Sequence, residues 1–127
     1  SQTRTVIDKK TVIVGSETNI NEQNSSAENR LIGWLVSFDL DQAGKDFKIF
    51  EGRTKIGRSS ANNIVIDKPE ISDDHVLLLS RDNKLIIQDQ LSANGTFVNG
   101  EKVDERTEVK DDDVIKLGSI SFKLKII

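Results

Sequence analysis

Short runs in which every second residue is hydrophobic recur along most of this chain. The clearest is the last, where Ile120, Phe122, Leu124 and Ile126 alternate with polar residues. A period of two places successive side chains on opposite faces of a β-strand, so one face packs on a core while the other meets water. No window carries a capped apolar stripe of helical period. The pattern therefore predicts an all-β fold.

Two further runs differ in detail. In 34–40 the apolar positions Trp34, Val36, Phe38 and Leu40 are the face predicted to point to the core. The segment 76–79 is instead a continuous apolar run, which is typical of a strand covered on both faces. Further predicted strands include the runs at 47–49, 54–56, 64–66, 85–87, 97–98 and 115–117.

Turn-forming residues separate these runs. Two Asn-Gly pairs, Asn94-Gly95 and Asn99-Gly100, favour tight hairpins because both residue types tolerate positive φ. Other turn signals lie at 42–44, 62–63, 82–83 and 117–118. Many short strands with frequent turns predict a β-sandwich of about 10 or 11 strands.

Composition narrows the possible functions. The 127 residues contain no cysteine and one histidine, which excludes disulfides, thiolate metal sites and multi-histidine metal sites. The net charge is −3, so neither nucleic acid nor an anionic membrane is an expected partner. The chain contains no P-loop and no dinucleotide fingerprint, and no cofactor is predicted.

The first 30 residues differ from the rest. Two similar T-V-I units begin at Thr5 and Thr11, and residues 15–30 are dominated by Ser, Asn, Glu and Gln. Such a segment buries too little apolar surface to offset its ordering entropy. The sequence therefore predicts a flexible tail over residues 1–30 and a sandwich domain over 31–127.

Three polar motifs lie in turns between the predicted strands. They are Gly57-Arg58, Ser72 with His75 three residues later, and the segment 94–100. Loops at one end of a sheet structure can bring such residues together. An arginine beside hydroxyl and amide groups suits a small anion, because charge-assisted bonds to a phosphate are short and strong.

This combination resembles the forkhead-associated (FHA) domain, a phosphothreonine-binding module, from residue 34 to the end of the chain. The resemblance implies two packed sheets with binding loops at one end, inside a larger bacterial signalling protein. It implies that Arg58 and Ser72 bind phosphate and that Asn94 binds the peptide backbone. Glu70 would help select the residue three positions after the phosphothreonine. Structural support of the loops would fall to Gly57, His75, Gly95, Thr96 and Asn99.

Two positions of the predicted site differ from the family pattern. Asp73 follows the serine where the family usually has Arg, Lys or Asn, and Ala93 precedes the asparagine where a hydroxyl residue is common. Loop 67–74 holds four acidic residues and one lysine, a net charge of −3. Two like charges 4 Å apart repel by ~4 kcal/mol at an effective dielectric of 20, enough to cancel one arginine contact. An alternative function is therefore phosphate-independent contact or self-association.

The tail threonines suggest regulation. One hypothesis is that Thr5 or Thr11 is phosphorylated and occupies this domain or a neighbouring copy, since a flexible linker gives a high effective concentration. The other is that the T-V-I units add a strand to a partner or a sheet edge, or stay free, without phosphorylation, and this second interpretation is slightly favoured.

Other chemistries fit less well. Ser72 and His75 lack the surroundings of a catalytic nucleophile, and the run 111–113 lacks the ligand spacing of a calcium loop. The sequence therefore predicts a cytoplasmic, non-enzymatic module without a metal. Its partners would be a protein segment containing phosphothreonine and the Ser/Thr kinase that modifies it.

Overall fold

The computed structural model describes residues 29–127. Backbone contacts divide the chain into two units, Ser1–Arg30 and Leu31–Ile127. Thr5, Thr11 and the T-V-I units lie outside the described residues. Among the residues that are described, no helix has the length and apolar character needed to cross a membrane.

Eleven strands form the second unit. In chain order they are β1 Leu31–Ser37, β2 Lys45–Phe50, β3 Gly52–Gly57, β4 Ile64–Val65, β5 Val76–Arg81, β6 Lys84–Asp89, β7 Thr96–Val98, β8 Glu101–Lys102, β9 Thr107–Val109, β10 Val114–Leu117 and β11 Ile120–Ile126. One sheet has the order β2-β1-β11-β10-β7-β8, and the other has the order β4-β3-β5-β6-β9. All neighbours are antiparallel except β3 and β4, which are parallel.

The two sheets share one apolar core. The six-stranded sheet contributes Leu35, Ile49, Ile115, Leu117, Phe122 and Leu124. The five-stranded sheet contributes Ile56, Leu78, Leu85, Ile87 and Val109. Burying each such side chain contributes about 1.5–3 kcal/mol, so this shared layer drives the packing of the sheets. The predicted all-β sandwich is confirmed.

The predicted inner face of β1 is wrong. Leu35 and Ser37 are buried, while Trp34 and Val36 lie on the outer face and pair with lysines of β11. Phe38 follows the strand and is 63% exposed. Apolar residues occupy both faces of β1, so hydrophobicity alone does not distinguish them. The buried Ser37 hydroxyl is satisfied by the main-chain N–H groups of the following turn.

The continuous apolar run in β5 is also covered less fully than predicted. Val76 and Leu78 are buried in the core, but Leu77 and Leu79 are only partly covered by the described residues. They lie on the outer face of the five-stranded sheet. Both faces of β5 are therefore apolar, although only one of them packs on the other sheet.

The turns explain how the register is set. Asp82 and Asn83 both have positive φ and close the two-residue β5–β6 hairpin, and Asn99 and Gly100 do the same between β7 and β8. This geometry matches the right-handed twist of the strands. Asn94-Gly95 behaves differently, because only Gly95 has positive φ and the pair does not close a hairpin. The hairpin prediction is correct for the second Asn-Gly pair and wrong for the first.

Candidate functional site

Arg58 is positioned by the close approach of two loops at the end of β3. A Cβ atom on Gly57 would overlap the main-chain oxygen of Asp73, so this position needs glycine. The Arg58 N–H donates to the Ser72 carbonyl at 2.9 Å. The predicted cation and the predicted hydroxyl residue are thus joined through their main chains.

The Arg58 side chain is half-exposed and engages one carboxylate. Its Nε lies 3.3 Å from Asp67 Oδ1, and the two side chains are 46% and 84% exposed. An exposed pair of this kind contributes about 0–1 kcal/mol, so it orients the guanidinium without holding it firmly. A guanidinium has further N–H donors beyond Nε, which suits a phosphate. Asp67 was not identified from the sequence.

Ser72 is oriented by its neighbours on the opposing loop. Its Oγ accepts a hydrogen bond from the Ala93 N–H at 2.9 Å. Because the hydroxyl oxygen is the acceptor there, the Ser72 proton is free to donate to another group. Ala93 therefore contributes its main chain to this arrangement, although it lacks a hydroxyl of its own.

His75 is fully buried and links both loops. Its Nδ1 accepts from the Ser72 N–H at 3.1 Å, and its Nε2 lies 2.9 Å from the Gly95 carbonyl oxygen. This pattern requires the neutral tautomer with the proton on Nε2, which donates to Gly95. The imidazole occupies a structural position between Ser72 and Gly95.

The Asn94 side chain forms a hydrogen bond with the loop that carries Glu70. Its Nδ2 donates to the Glu70 carbonyl at 2.8 Å, so the amide group is anchored through its nitrogen. The side chain is exposed, and its Oδ1 remains an acceptor for an incoming N–H. The Glu70 carboxylate accepts from the Ser119 hydroxyl at 2.6 Å, which lowers the pKa of Glu70.

A half-buried carboxylate organises the loop from 92 to 96. Asp89 accepts from the hydroxyls of Ser92 and Thr96 at 2.6 and 2.7 Å and from the Ser92 N–H at 3.0 Å. Burial opposes its ionisation, but these bonds outweigh burial and lower the pKa of Asp89. Asp89 and Ser92 were not identified from the sequence. The signal was an aspartate followed by serine after three residues, a pattern typical of local side-chain bonds to the main chain.

Asn62 was also missed. It is 7% exposed, and its Nδ2 donates to the carbonyl oxygens of Ser59 and Asp73 at 2.9 and 2.7 Å. The bond to Asp73 fixes the loop that carries Ser72 against the turn after Arg58. Its Oδ1 is buried and accepts no hydrogen bond from the described residues.

The remaining predicted residues fall in different places. Asp73 is exposed, and its carboxylate forms no hydrogen bond within residues 29–127. Gly95 and the buried Thr96 lie in the loop held by Asp89. Asn99 is not part of this cluster, because it follows the opposite end of β7 and bonds to Asp113 and to the Val114 N–H.

Lysine side chains form ion pairs with two of the three carboxylates in the acidic run 111–113. Lys125 Nζ lies 2.5 Å from Asp112 Oδ1 and 3.6 Å from Asp111 Oδ1. The hydrogen bond between Lys125 and Asp112 lowers the pKa of the aspartate and raises that of the lysine. Within residues 29–127, no group of three or more His, Asp or Glu side chains is arranged to hold a metal ion.

The fold is a β-sandwich, and hydrogen bonds at one end of it join the loops that carry Arg58, Ser72 and Asn94. A sequence profile of the FHA domain matches residues 54–118, which is more than half of the chain. The chain therefore belongs to the FHA domain family, a family of interaction modules, and the predicted family is confirmed.

Individual relatives agree with this assignment. The transcriptional regulatory protein EmbR of Mycobacterium tuberculosis is 24% identical over 92% of this chain. The serine/threonine-protein kinase Lok of Drosophila melanogaster is 32% identical over 87% of it. The chain spans 29% of EmbR and 25% of Lok. The FHA domain of yeast Dun1, in complex with a doubly phosphorylated phosphothreonine peptide, has a TM-score of 0.67 and 28% identity, covering 88% of this chain and 84% of the Dun1 chain.

Proposed function

We propose that this domain binds protein segments containing phosphothreonine, without catalysing a reaction. The observation that carries the proposal is the junction of Arg58 with Ser72, in which the main chains are bonded at 2.9 Å and the Ser72 proton is left free. Arg58 supplies a permanent positive charge, and Ser72 supplies a neutral donor. Together they match the charge and the acceptor oxygens of a phosphate monoester.

Asn94 completes the proposed site. Its anchored Nδ2 leaves Oδ1 to accept a main-chain N–H of the bound segment. The phosphopeptide bound by the Dun1 domain supports the same ligand class for this chain. A Ser/Thr kinase would create the ligand, and the site would act in the cytoplasm, where such kinases find ATP. Phosphorylated Thr5 or Thr11 is one candidate ligand from this chain.

Calorimetric titration with a degenerate phosphothreonine peptide library and its unphosphorylated counterpart tests the proposal. Arg58→Ala should weaken binding of the phosphorylated library more than tenfold, because a bond to a charged group contributes about 1.5–3 kcal/mol. The matched control is Arg81→Ala, which removes an exposed arginine at the far end of β5 and should leave the affinity unchanged.

A second function is favoured by the acids of the site. Asp67 already contacts Arg58, and the exposed Asp73 carries a further negative charge on the Ser72 loop. Under this alternative the domain makes phosphate-independent contacts or associates with itself. Equal affinity for the two libraries, or none for either with the fold intact, would reject phosphothreonine binding and favour this alternative.

A further inference from the structure

The outer face of the five-stranded sheet carries a stripe of partly exposed aliphatic side chains. Leu79 on β5 pairs with Ile86 on β6, and Leu77 lies two residues from Leu79 on the same face. All three are partly exposed among the described residues. These residues form neither the core nor the proposed phosphate site.

Basic residues border this stripe on two sides. Arg53 and Lys55 on β3 pair with Leu79 and Leu77, and Arg106 lies on the other side near β9. The ion pairs of the described residues involve Arg58, Lys123 and Lys125, and none involves these three cations. All three are exposed, and basic side chains of this length can lay their aliphatic stems along neighbouring apolar surface while the charge stays in solvent.

The surface is concave along this stripe. A hollow of about 40 Å³ is lined by Arg53, Leu77, Leu79, Ile86, Gln88 and Arg106. A second hollow of about 380 Å³ shares Arg53 and Leu77 and extends to Lys55 and Asp74. We call the two together the outer groove. Three basic and one acidic side chain line it, a local charge of +2 on a chain of net charge −3.

We propose that the outer groove docks an amphipathic helix of a partner protein, with acidic residues on both sides of its apolar stripe. The aliphatic row would receive the apolar stripe. Arg53 and Lys55 on one side, and Arg106 on the other, would meet the carboxylates. Asp74 and Glu108, which pairs opposite Ile86, limit the positive surface at its margins.

The hydrogen-bonding state of the sheet favours a helix over an extended segment. The aliphatic row lies on β5 and β6, and Leu77, Leu79 and Ile86 each have a paired residue on both neighbouring strands, so the row itself presents no free main-chain edge. At the border of the groove, β3 pairs with the short β4 only at Ile56 and Gly57. An extended segment lying on the apolar row would leave its own N–H and C=O groups unpaired, which is unfavourable. A helix satisfies these groups internally, and its diameter of about 10 Å spans two to three strands.

The chemistry of the groove also favours protein over nucleic acid. The one tryptophan and five phenylalanines of the chain are at positions 34, 38, 47, 50, 97 and 122, and none lies in a strand of the five-stranded sheet. Single-stranded nucleic acid is usually held by bases stacked on aromatic rings in addition to basic residues. Aliphatic side chains between cations suit a helix with leucine and glutamate.

The test uses a designed helical peptide with one leucine stripe flanked by glutamates. Two companions serve as controls, one with lysines in place of the glutamates and one with the same composition but scattered leucines. Binding of each peptide to the 127-residue chain is followed by fluorescence anisotropy and mapped by NMR chemical shifts. We expect shifts at Leu77, Leu79 and Ile86 with the first peptide only.

Charge-reversal variants then distinguish binding at the outer groove from non-specific attraction between the charges of the peptide and the protein. Arg53→Glu with Arg106→Glu should weaken binding at least tenfold, whereas Lys48→Glu with Lys116→Glu, on the outer face of the other sheet, should not change it. If the first pair impairs folding, Arg53→Gln with Arg106→Gln replaces it. Arg58→Ala should bind the peptide normally, which keeps this result independent of the phosphate site.

Three outcomes of the peptide experiments would overturn the proposal. They are chemical shifts confined to other surfaces, equal binding of the scattered-leucine peptide, and equal weakening by the two charge-reversal pairs. Displacement of the peptide by a single-stranded oligonucleotide that binds the groove more tightly would indicate a nucleic-acid surface and would likewise reject it.

Discussion

The two Asn-Gly pairs flank the same short strand, β7, and serve different purposes. Asn99-Gly100 closes a hairpin with positive φ at both residues, and the Asn99 side chain bonds to residues of the neighbouring turn. Asn94-Gly95 closes no hairpin, and its Asn94 side chain reaches across to the Glu70 loop. Asn99-Gly100 stabilises local backbone geometry, whereas Asn94-Gly95 helps to hold two loops that are distant in sequence against each other.

The same Asn-Gly turn signal therefore serves two different structural roles on the two sides of β7. Gly95 is bonded to His75 and Ser92 and lies between loops that carry the candidate ligands of phosphate. No equivalent buried side chain among the described residues supports Gly100. The binding end should therefore respond to mutation through its long-range hydrogen bonds, and the hairpin end through its backbone conformation.

The largest expected effect is at His75. Replacing His75 by alanine leaves the Ser72 N–H without its acceptor, leaves the Gly95 carbonyl with only the Gly118 N–H as donor, and opens a cavity. The free energy of unfolding should therefore fall by about 4 kcal/mol. Urea denaturation measures this change. The exposed neighbour Asp74 is the control, and Asp74→Ala should change stability by less than about 0.5 kcal/mol. A loss at His75 below about 1 kcal/mol would contradict its role as the link between the loops.

Asn99→Ala should have the next largest effect on stability. It removes two hydrogen bonds and places alanine at positive φ, so the free energy of unfolding should fall by about 2 kcal/mol. Phosphopeptide affinity should stay the same, because Asn99 lies away from the binding loops. A fall in affinity at unchanged stability would show that the two ends of β7 are not independent.

Asn94→Ala should give the opposite result. The affinity for phosphopeptide should fall about tenfold, equivalent to about 1.4 kcal/mol, with a smaller change in stability. Calorimetry and denaturation on the same sample measure both quantities. If stability falls while affinity is preserved, Asn94 is a structural residue like Asn99.

The Asp89 cluster predicts a pH dependence at the binding end. The pKa of Asp89 is lowered in the folded protein from an ordinary value of 3.8. The stabilisation is therefore complete above pH 3.8 and is lost as pH falls through the lower, folded-state pKa. Asp89→Asn should flatten the fall in stability over this range, while Asp104→Asn, an exposed acid between β8 and β9, should not. Identical acid profiles for wild type and Asp89→Asn would refute the assignment.

The smallest expected effect is at Asp67. Asp67→Asn removes a carboxylate that competes with phosphate for Arg58, so affinity should rise by about two- to threefold, or about 0.5 kcal/mol. Glu105→Gln makes the same charge change elsewhere and serves as the control. A lower affinity would mean that Asp67 is needed to orient the guanidinium.

Local patterns in the sequence were enough to predict the strand content, the turn positions, the family and the location of Arg58, Ser72 and Asn94 on loops. These follow from the period of two, from residues that tolerate positive φ, and from motif spacing, all of which are local properties. The face of β1 was not determined, because apolar residues occupy both of its sides.

Which loops are hydrogen-bonded to each other could be seen only in the folded protein. The contacts between Arg58 and Asp67, Ser72 and Ala93, and Asn94 and Glu70 join residues that are separate in sequence. Such bonds form only when donor and acceptor are positioned to within a few tenths of an ångström, and composition and hydrophobic pattern do not specify positions that precisely. The same is true of the outer groove, since its cations and leucines come from different strands and meet only through the register of the sheet.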